Sequence, residues 1–239
     1  RQKVRQFCSR FLPGWRSKTT RRAARCDACS MLRAIILQGP SWTLSEEGNR
    51  PMSARVLKVR TIHDGWAKFR IAQIALADGQ VIAREIEDHG RAVAVLPYDP
   101  ARRVVMLVKQ LRAPMLFAAG LQQSLEAPAG ILDSEDPMEC ARREAMEECG
   151  LRLGRVEPVV RAWSMPGVST ETMDLFLAPY AIGDRVGSGG GLAEEHEQII
   201  VVEMSCVELA AMIDSGRLVD MKTLVLALSL RHRLPELFL

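Results

Sequence analysis

Residues 130–151 read GILDSEDPMECARREAMEECGL. The string carries the marks of one helix over 137–149. Asp136 can cap its start, Pro137 suits the first helical position, and Gly150 suits the left-handed site past the end. Met138, Ala141, Ala145 and Cys149 fall on one stripe that can face a core. Glu144, Glu147 and Glu148 stand at i, i+3 and i+4 and share a face. Each like-charge pair on such a face costs about 0.2–0.5 kcal/mol. One reading is a solvated acidic face with Arg142 and Arg143 as partial counterions. The other weighs the context, with the glycine-containing turn Ala129-Gly130 ahead of the helix and Arg143 beside Glu144. Clustered carboxylates of this kind hold hard divalent cations, and Mg²⁺ pairs a few of them with substrate phosphates.

Upstream, residues 54–62 (ARVLKVRTI) and 67–77 (AKFRIAQIALA) alternate as strands do, and Asp78-Gly79 signals a hairpin turn into 80–87 (QVIAREIE). Residues 91–98 (RAVAVLPY) form a strand that turns at Asp99-Pro100 and pairs with 104–111 (VVMLVKQL). Residues 120–124 are expected to be a loop. Downstream, 156–163, 172–180 and 199–204 are strand candidates, and 206–214 and 221–232 are helical. The Gly-Ser-Gly-Gly-Gly run at 187–191 is expected to be a mobile loop. No internal repeat is visible. The sum is an α+β chain of mainly antiparallel hairpins around one strong helix.

Across 239 residues, 48% are hydrophobic and 26% charged, which excludes wholesale disorder and suits one large domain with or without a small appendage. No run of about 18 apolar residues exists, so no membrane-spanning helix is expected. The net charge of +3 hides an asymmetry. Residues 1–51 hold eleven Lys/Arg against Asp27, Glu46 and Glu47, a local balance of +8 that leaves −5 for the remainder. Such a segment reads as a nucleic-acid-binding tail, an organelle transit peptide, or a disordered extension upstream of a start at Met52. The last is favoured, because a clean strand pattern begins there. Six cysteines show no regular spacing, so no disulfide framework is expected and a reducing cytoplasm fits. Cys26 and Cys29 form one CxxC, a weak zinc signal without a second pair.

The 130–151 segment resembles the Nudix box, G-x5-E-x7-R-E-U-x-E-E-x-G-U with U apolar. The run REAMEECGL at 143–151 fits its second half, and Glu135 precedes Arg143 at the right distance, while Gly130 stands one residue closer to Glu135 than the pattern has it. The likeness extends over roughly 60–232 and is closest to the branch that cleaves nucleoside diphosphate sugars, with ADP-ribose and GDP-mannose as the foremost substrates. LEAPAG at 125–130, Met165-Pro166-Gly167, GGGLAEEHEQIIVVEM at 189–204 and DMKT at 220–223 carry it. The glycine-rich run tips the choice slightly to GDP-mannose. The implied fold is an α/β/α sandwich with a mixed sheet over 91–239, preceded by a small antiparallel β unit at 52–90 that dimerises.

The resemblance further implies a Mg²⁺-dependent (or Mn²⁺-dependent) pyrophosphohydrolase that releases a nucleoside monophosphate and a sugar phosphate. By it, Glu144 and Glu148 are the principal metal ligands, with the Ala129 carbonyl and the loop-borne Glu197 as further ones. Glu147 assists, Glu195 is the general base, and Arg112 contacts the substrate phosphates. His89 stands where the branch often has Arg. A homodimer is implied, with no membrane or nucleic-acid partner. Two other classes remain: a non-catalytic nucleotide-binding module, which the intact second-half glutamates disfavour, and a nucleic-acid-processing hydrolase that uses the basic segment.

Overall fold

The structure is a computed structural model that describes residues 53–192 and 198–239. The expectations for the basic segment 1–51, its CxxC and a start at Met52 lie outside the described residues. So do those for Glu195 and Glu197.

Three strands open the described chain: β1 (Arg55–Asp64), β2 (Lys68–Ala75) and β3 (Val81–Asp88). They form a separate antiparallel sheet in the order β1-β2-β3. Its second hairpin turns where the sequence signals it, with Gly79 at φ 85° and the Asp78 carboxylate accepting from Gln80 N at 3.0 Å. Every residue of β1 is exposed, Val56, Leu57, Val59 and Ile62 among them.

The main sheet contains β4 (Arg91–Asp99), β5 (Val104–Gln110), β6 (Ser124–Glu126), β7 (Ala129–Leu132), β8 (Glu157–Trp163), β9 (Thr172–Pro179) and β10 (Ile200–Ser205). Its order is β10-β5-β4-β9-β8, with β6 on β5 and β7 on β4. β4 and β9 run parallel at its centre, and the other pairs are antiparallel, so the sheet is mixed. Among the described residues four α-helices accompany it: α1 (Ala113–Ala119), α2 (Pro137–Cys149), α3 (Cys206–Asp214) and α4 (Met221–Arg233).

Alternation along β4 builds the two layers. Val93 and Val95 pack with Cys140, Ala141, Ala145 and Cys149 of α2 on one face. Ala94, Leu96 and Tyr98 pack with Leu209 of α3 and Leu226 and Leu230 of α4 on the other. The period-2 pleat sends successive side chains to opposite faces, which yields the expected α/β/α sandwich.

The sheet departs from the expected hairpin in one place, and that place becomes the site. β4 and β5 pair only beside their turn, at Tyr98↔Val105 and Asp99↔Val104. Beyond it they diverge. β6 fills the fork on the β5 side, at Val108↔Glu126 through Gln110↔Ser124, and β7 fills it on the β4 side, at Ala94↔Ala129 through Arg91↔Leu132. The expected loop at 120–124 is therefore preceded by α1 and runs into β6. The expected turn at Ala129-Gly130 is strand β7. Strands of three and four residues are too short to show a period.

Candidate active site

α2 forms as its sequence dictates. The Asp136 carboxylate accepts from Met138 N at 2.8 Å. At the other end Gly150 has φ 68° and its N–H donates to Met146 O at 2.9 Å, as in an αL cap, while Leu151 N donates to Ala145 O at 3.0 Å. Cys140, Ala141, Ala145 and Cys149 are buried. Met138, expected on the same stripe, is 36% exposed, and Cys140 fills a core position instead.

The acidic face is not solvated. Glu144 and Glu148 are 7% and 2% exposed, while the Glu147 side chain is 25% exposed. Burying carboxylates costs several kcal/mol each unless charge or hydrogen bonds compensate. β7 supplies part of that compensation. Glu148 Oε2 accepts from Ala129 N at 3.2 Å. The Glu144 carboxylate lies directly over Gly130, where an added Cβ would stand 2.0 Å from Oε1.

Arg143 adds to it. Its Nη1 lies 2.8 Å from Glu144 Oε1 and donates to Glu147 Oε2 at 2.9 Å. Its Nε and Nη2 donate to Glu135 Oε1 at 3.1 and 2.9 Å. Burial alone would weaken the guanidinium's charge, but Glu135, Glu144 and Glu147 outweigh it and hold the Arg143 pKa above its ordinary value. The same contact draws Glu135 below the usual carboxylate range. The shorter box loop therefore still delivers its first glutamate to Arg143.

Arg112 follows the end of β5 and makes a two-pronged bond to Glu126 of β6, at 2.9 and 2.8 Å. Glu126 is 2% exposed and also accepts from Lys222 of α4. Burial would raise the Glu126 pKa, yet Arg112 and Lys222 together lower it to about 2. Lys222 is held by Asp220, the α4 cap, at 3.0 Å. Thr223 Oγ1 accepts from Ala127 N at 2.6 Å and so docks α4 on the β6–β7 connection. The negative charge of Glu148 helps keep Arg112 charged, after the nearer effect of Glu126 and against burial.

The structure thus brings together Ala129, Glu144, Glu147 and Glu148, with Arg112 linked through Glu126. Glu126 and Lys222 had no role in the sequence reading. Two signals were available: a lone carboxylate in the apolar run before the box, and a lysine in a helical first turn, where the dipole disfavours it. Among the described residues no group of three His, Cys, Asp or Glu side chains closes into a metal cluster. The donor chemistry still fits a hard divalent cation, since it is all oxygen and includes two buried carboxylates beside a backbone strand.

The glycine run is held in place where a mobile loop was expected. Gly190 N donates to Glu148 O at 2.9 Å, and Gly191 N to Glu147 O at 3.1 Å. At the edge of the small sheet, the two ring nitrogens of His89 lie 2.6 Å from Glu87 Oε1 and 3.0 Å from Glu171 Oε1. Trp66 stacks on the ring with centroids 4.9 Å apart. Burial would lower the His89 pKa, but the two carboxylates raise it overall.

The NUDIX domain family matches residues 88–211. GDP-mannose pyrophosphatase of Pectobacterium atrosepticum is 41% identical over 145 residues, covering 60% of this chain and 74% of that protein. The protein of the same name from Escherichia coli K12 is 36% identical over 152 residues, covering 62% and 78%. A crystal structure of an ADP compounds hydrolase superposes with a TM-score of 0.64 over 79% of this chain and 97% of that one. At 14% identity it bears on the fold alone.

Proposed function

The chain belongs to the Nudix family, and from there we propose that it hydrolyses the phosphoanhydride of a nucleoside diphosphate sugar to a nucleoside monophosphate and a sugar phosphate. GDP-mannose is placed first and ADP-ribose second, because the relatives of highest identity given above are GDP-mannose pyrophosphatases. The observation that carries the reading is the pair of buried carboxylates, Glu144 and Glu148, set against the β7 backbone at Gly130 and Ala129.

Glu144, Glu148 and the Ala129 carbonyl would hold Mg²⁺, or Mn²⁺ in its place, with Glu197 as a further ligand. When bound, the cation neutralises the phosphoanhydride oxygens and eases attack by water. Glu195 takes the proton from that water. Arg143 fixes Glu144 and Glu147 and offsets their charge. Arg112 commits Nε and Nη2 to Glu126, and its side chain remains 41% exposed to meet a substrate phosphate. The small unit at 52–90 pairs two copies through the exposed apolar residues of β1, and 91–239 forms the hydrolase domain of a cytoplasmic enzyme.

The test is product analysis of the full chain with Mg²⁺ on GDP-mannose, ADP-ribose, dinucleotides and nucleoside triphosphates. Glu148→Gln should abolish turnover. Glu195→Gln should slow it greatly with metal binding kept. Parental rates for Glu148→Gln would refute the assignment.

A further inference from the structure

We propose that the glycine run 187–191 is a positioning device for the carboxylates of α2, with Gly189 as its critical residue; the inference rests on the metal-holding role of Glu144 and Glu148 proposed above. A helix leaves its last four carbonyls without partners inside it. Of these, Met146 O accepts from Gly150 N in the cap of α2. Two more are taken by the glycine run, Glu147 O by Gly191 N and Glu148 O by Gly190 N, while Gly150 O, just past the helix, accepts from Val186 N and Gly187 N at 2.9 and 3.1 Å. The backbone of the two glutamates is thereby pinned from outside the helix.

Only glycine permits this approach. A Cβ at Gly189 would lie 2.3 Å from Glu148 O and 2.7 Å from the carbonyl carbon and Cα of Cys149. These are backbone atoms and cannot swing aside. Gly189, Gly190 and Gly191 all have left-handed φ angles of 67°, 114° and 77°. By contrast, a Cβ at Gly154, Gly167 or Gly183 meets nothing within 4 Å.

The same glycines fix both ends of the chain segment that follows. It departs from Gly191, bonded to Glu147 O, and at Ile199 its N–H donates back to Gly190 O at 3.4 Å. One short run therefore sets the backbone of Glu147 and Glu148 and the take-off and return of the next segment. Moving it moves the origin of the Glu148 side chain.

The experiment measures Mn²⁺ binding to the full chain without substrate, by the electron paramagnetic resonance of free Mn²⁺. Gly189→Ala should weaken binding about tenfold or more, the range seen when groups supporting metal ligands are altered. Gly183→Ala, in open space, should bind as the parent does. Leu226→Ala lies in the core on the opposite face of the sheet; it should lower the melting temperature and leave Mn²⁺ affinity parental, which separates positioning from plain destabilisation. Folded Gly189→Ala with affinity within twofold of the parent overturns the inference alone. A parent that takes up no Mn²⁺ overturns the functional reading and this inference with it. If Gly189→Ala does not fold, Gly190→Ala serves: its nearest neighbour is Ile199 O at 3.8 Å, so it strains φ without a clash. It should weaken binding at least threefold, and unchanged affinity overturns the proposal.

Discussion

Gly130→Ala separates the metal-holding role of Glu144 from the stability of the fold. The added methyl carbon would stand 2.0, 2.2 and 2.6 Å from Glu144 Oε1, Cδ and Oε2, where ordinary contact begins at 3.4 Å. The carboxylate must therefore retreat by more than 1 Å. What yields is the end of a side chain, and Gly130 has no left-handed φ, so the β7 backbone can stay. A rotamer shift of this size costs about 0.5–1.5 kcal/mol. Loss of the Arg143–Glu144 pair adds up to about 1 kcal/mol, since Arg143 is partly solvated. Alanine in a strand interior returns roughly 0.5–1 kcal/mol relative to glycine. The net destabilisation is about 1 kcal/mol, a fall in melting temperature of about 2–4 °C for a chain of this size. The chemistry is less forgiving, because a displacement of about 1 Å in a reacting constellation costs on the order of 100-fold in rate. The assay pairs thermal melting with kcat/KM on GDP-mannose across a Mg²⁺ series. A variant that melts within a few degrees of the parent and turns over at the parental rate would refute the metal-holding role of Glu144. A collapse of the fold would instead show that Gly130 is needed by the strand.

Glu126→Gln leaves Arg112 and Lys222 without their shared carboxylate and should cost roughly 3 kcal/mol, the lower end for a broken buried pair because Arg112 is partly exposed; a urea midpoint equal to the parent's would contradict this. Because the folded-state pKa of Glu126 is lowered to about 2, its contribution is present above about pH 4.5 and is lost as pH falls toward 2, and acid titration of the variant should lack that part of the decline. His89 has the opposite sign: its raised pKa means that its bonds to Glu87 and Glu171 stabilise fully below about pH 6.5 and fade as pH rises through the folded value. Asp88, paired with Arg70 and Thr170 nearby, stays ionised throughout that range. Melting temperature against pH should drop across this window in the parent and flatten in His89→Asn; parallel curves would show that the imidazole is uncharged. Arg143→Lys cannot reach Glu135, Glu144 and Glu147 together and should reduce kcat/KM at least about tenfold with little loss of stability, checked by steady-state kinetics beside thermal melting.

The helix at 137–149 was legible to the residue because cap, first-turn proline and terminal glycine each mark a position by their own chemistry. The strands at 91–98 and 104–111 were legible as apolar runs on either side of the Asp99-Pro100 turn, and the sheet between them was not. Pairing partners are set by packing across the fork, and β6 and β7 are too short to announce themselves. The acidic triplet was visible as a pattern, but the burial that decides between a solvated face and a metal site is a tertiary fact. Glu126 and Lys222 lie 96 residues apart and meet only because Thr223 docks α4 on the β6–β7 connection. The glycine run was legible as composition and misread as looseness. Its glycines serve close backbone approach, which requires knowing what lies opposite.

The crowding of carboxylates on α2 is resolved by a division of charge. Arg143 touches Glu135, Glu144 and Glu147, and the Ala129 N–H donates to Glu148. The second cationic group of the region, Arg112, is tied to Glu126 and feels Glu148 only at longer range. A guanidinium therefore meets Glu144 and Glu147, while the buried Glu148 accepts a hydrogen bond from a backbone amide. A doubly charged cation held by oxygen ligands adds positive charge where Glu144, Glu147 and Glu148 crowd one helix. A fixed cation placed beside Glu148 should suppress metal binding, because it would compete with the metal for the same carboxylate, and Mn²⁺ affinity equal to the parent's would refute the ligand role of Glu148.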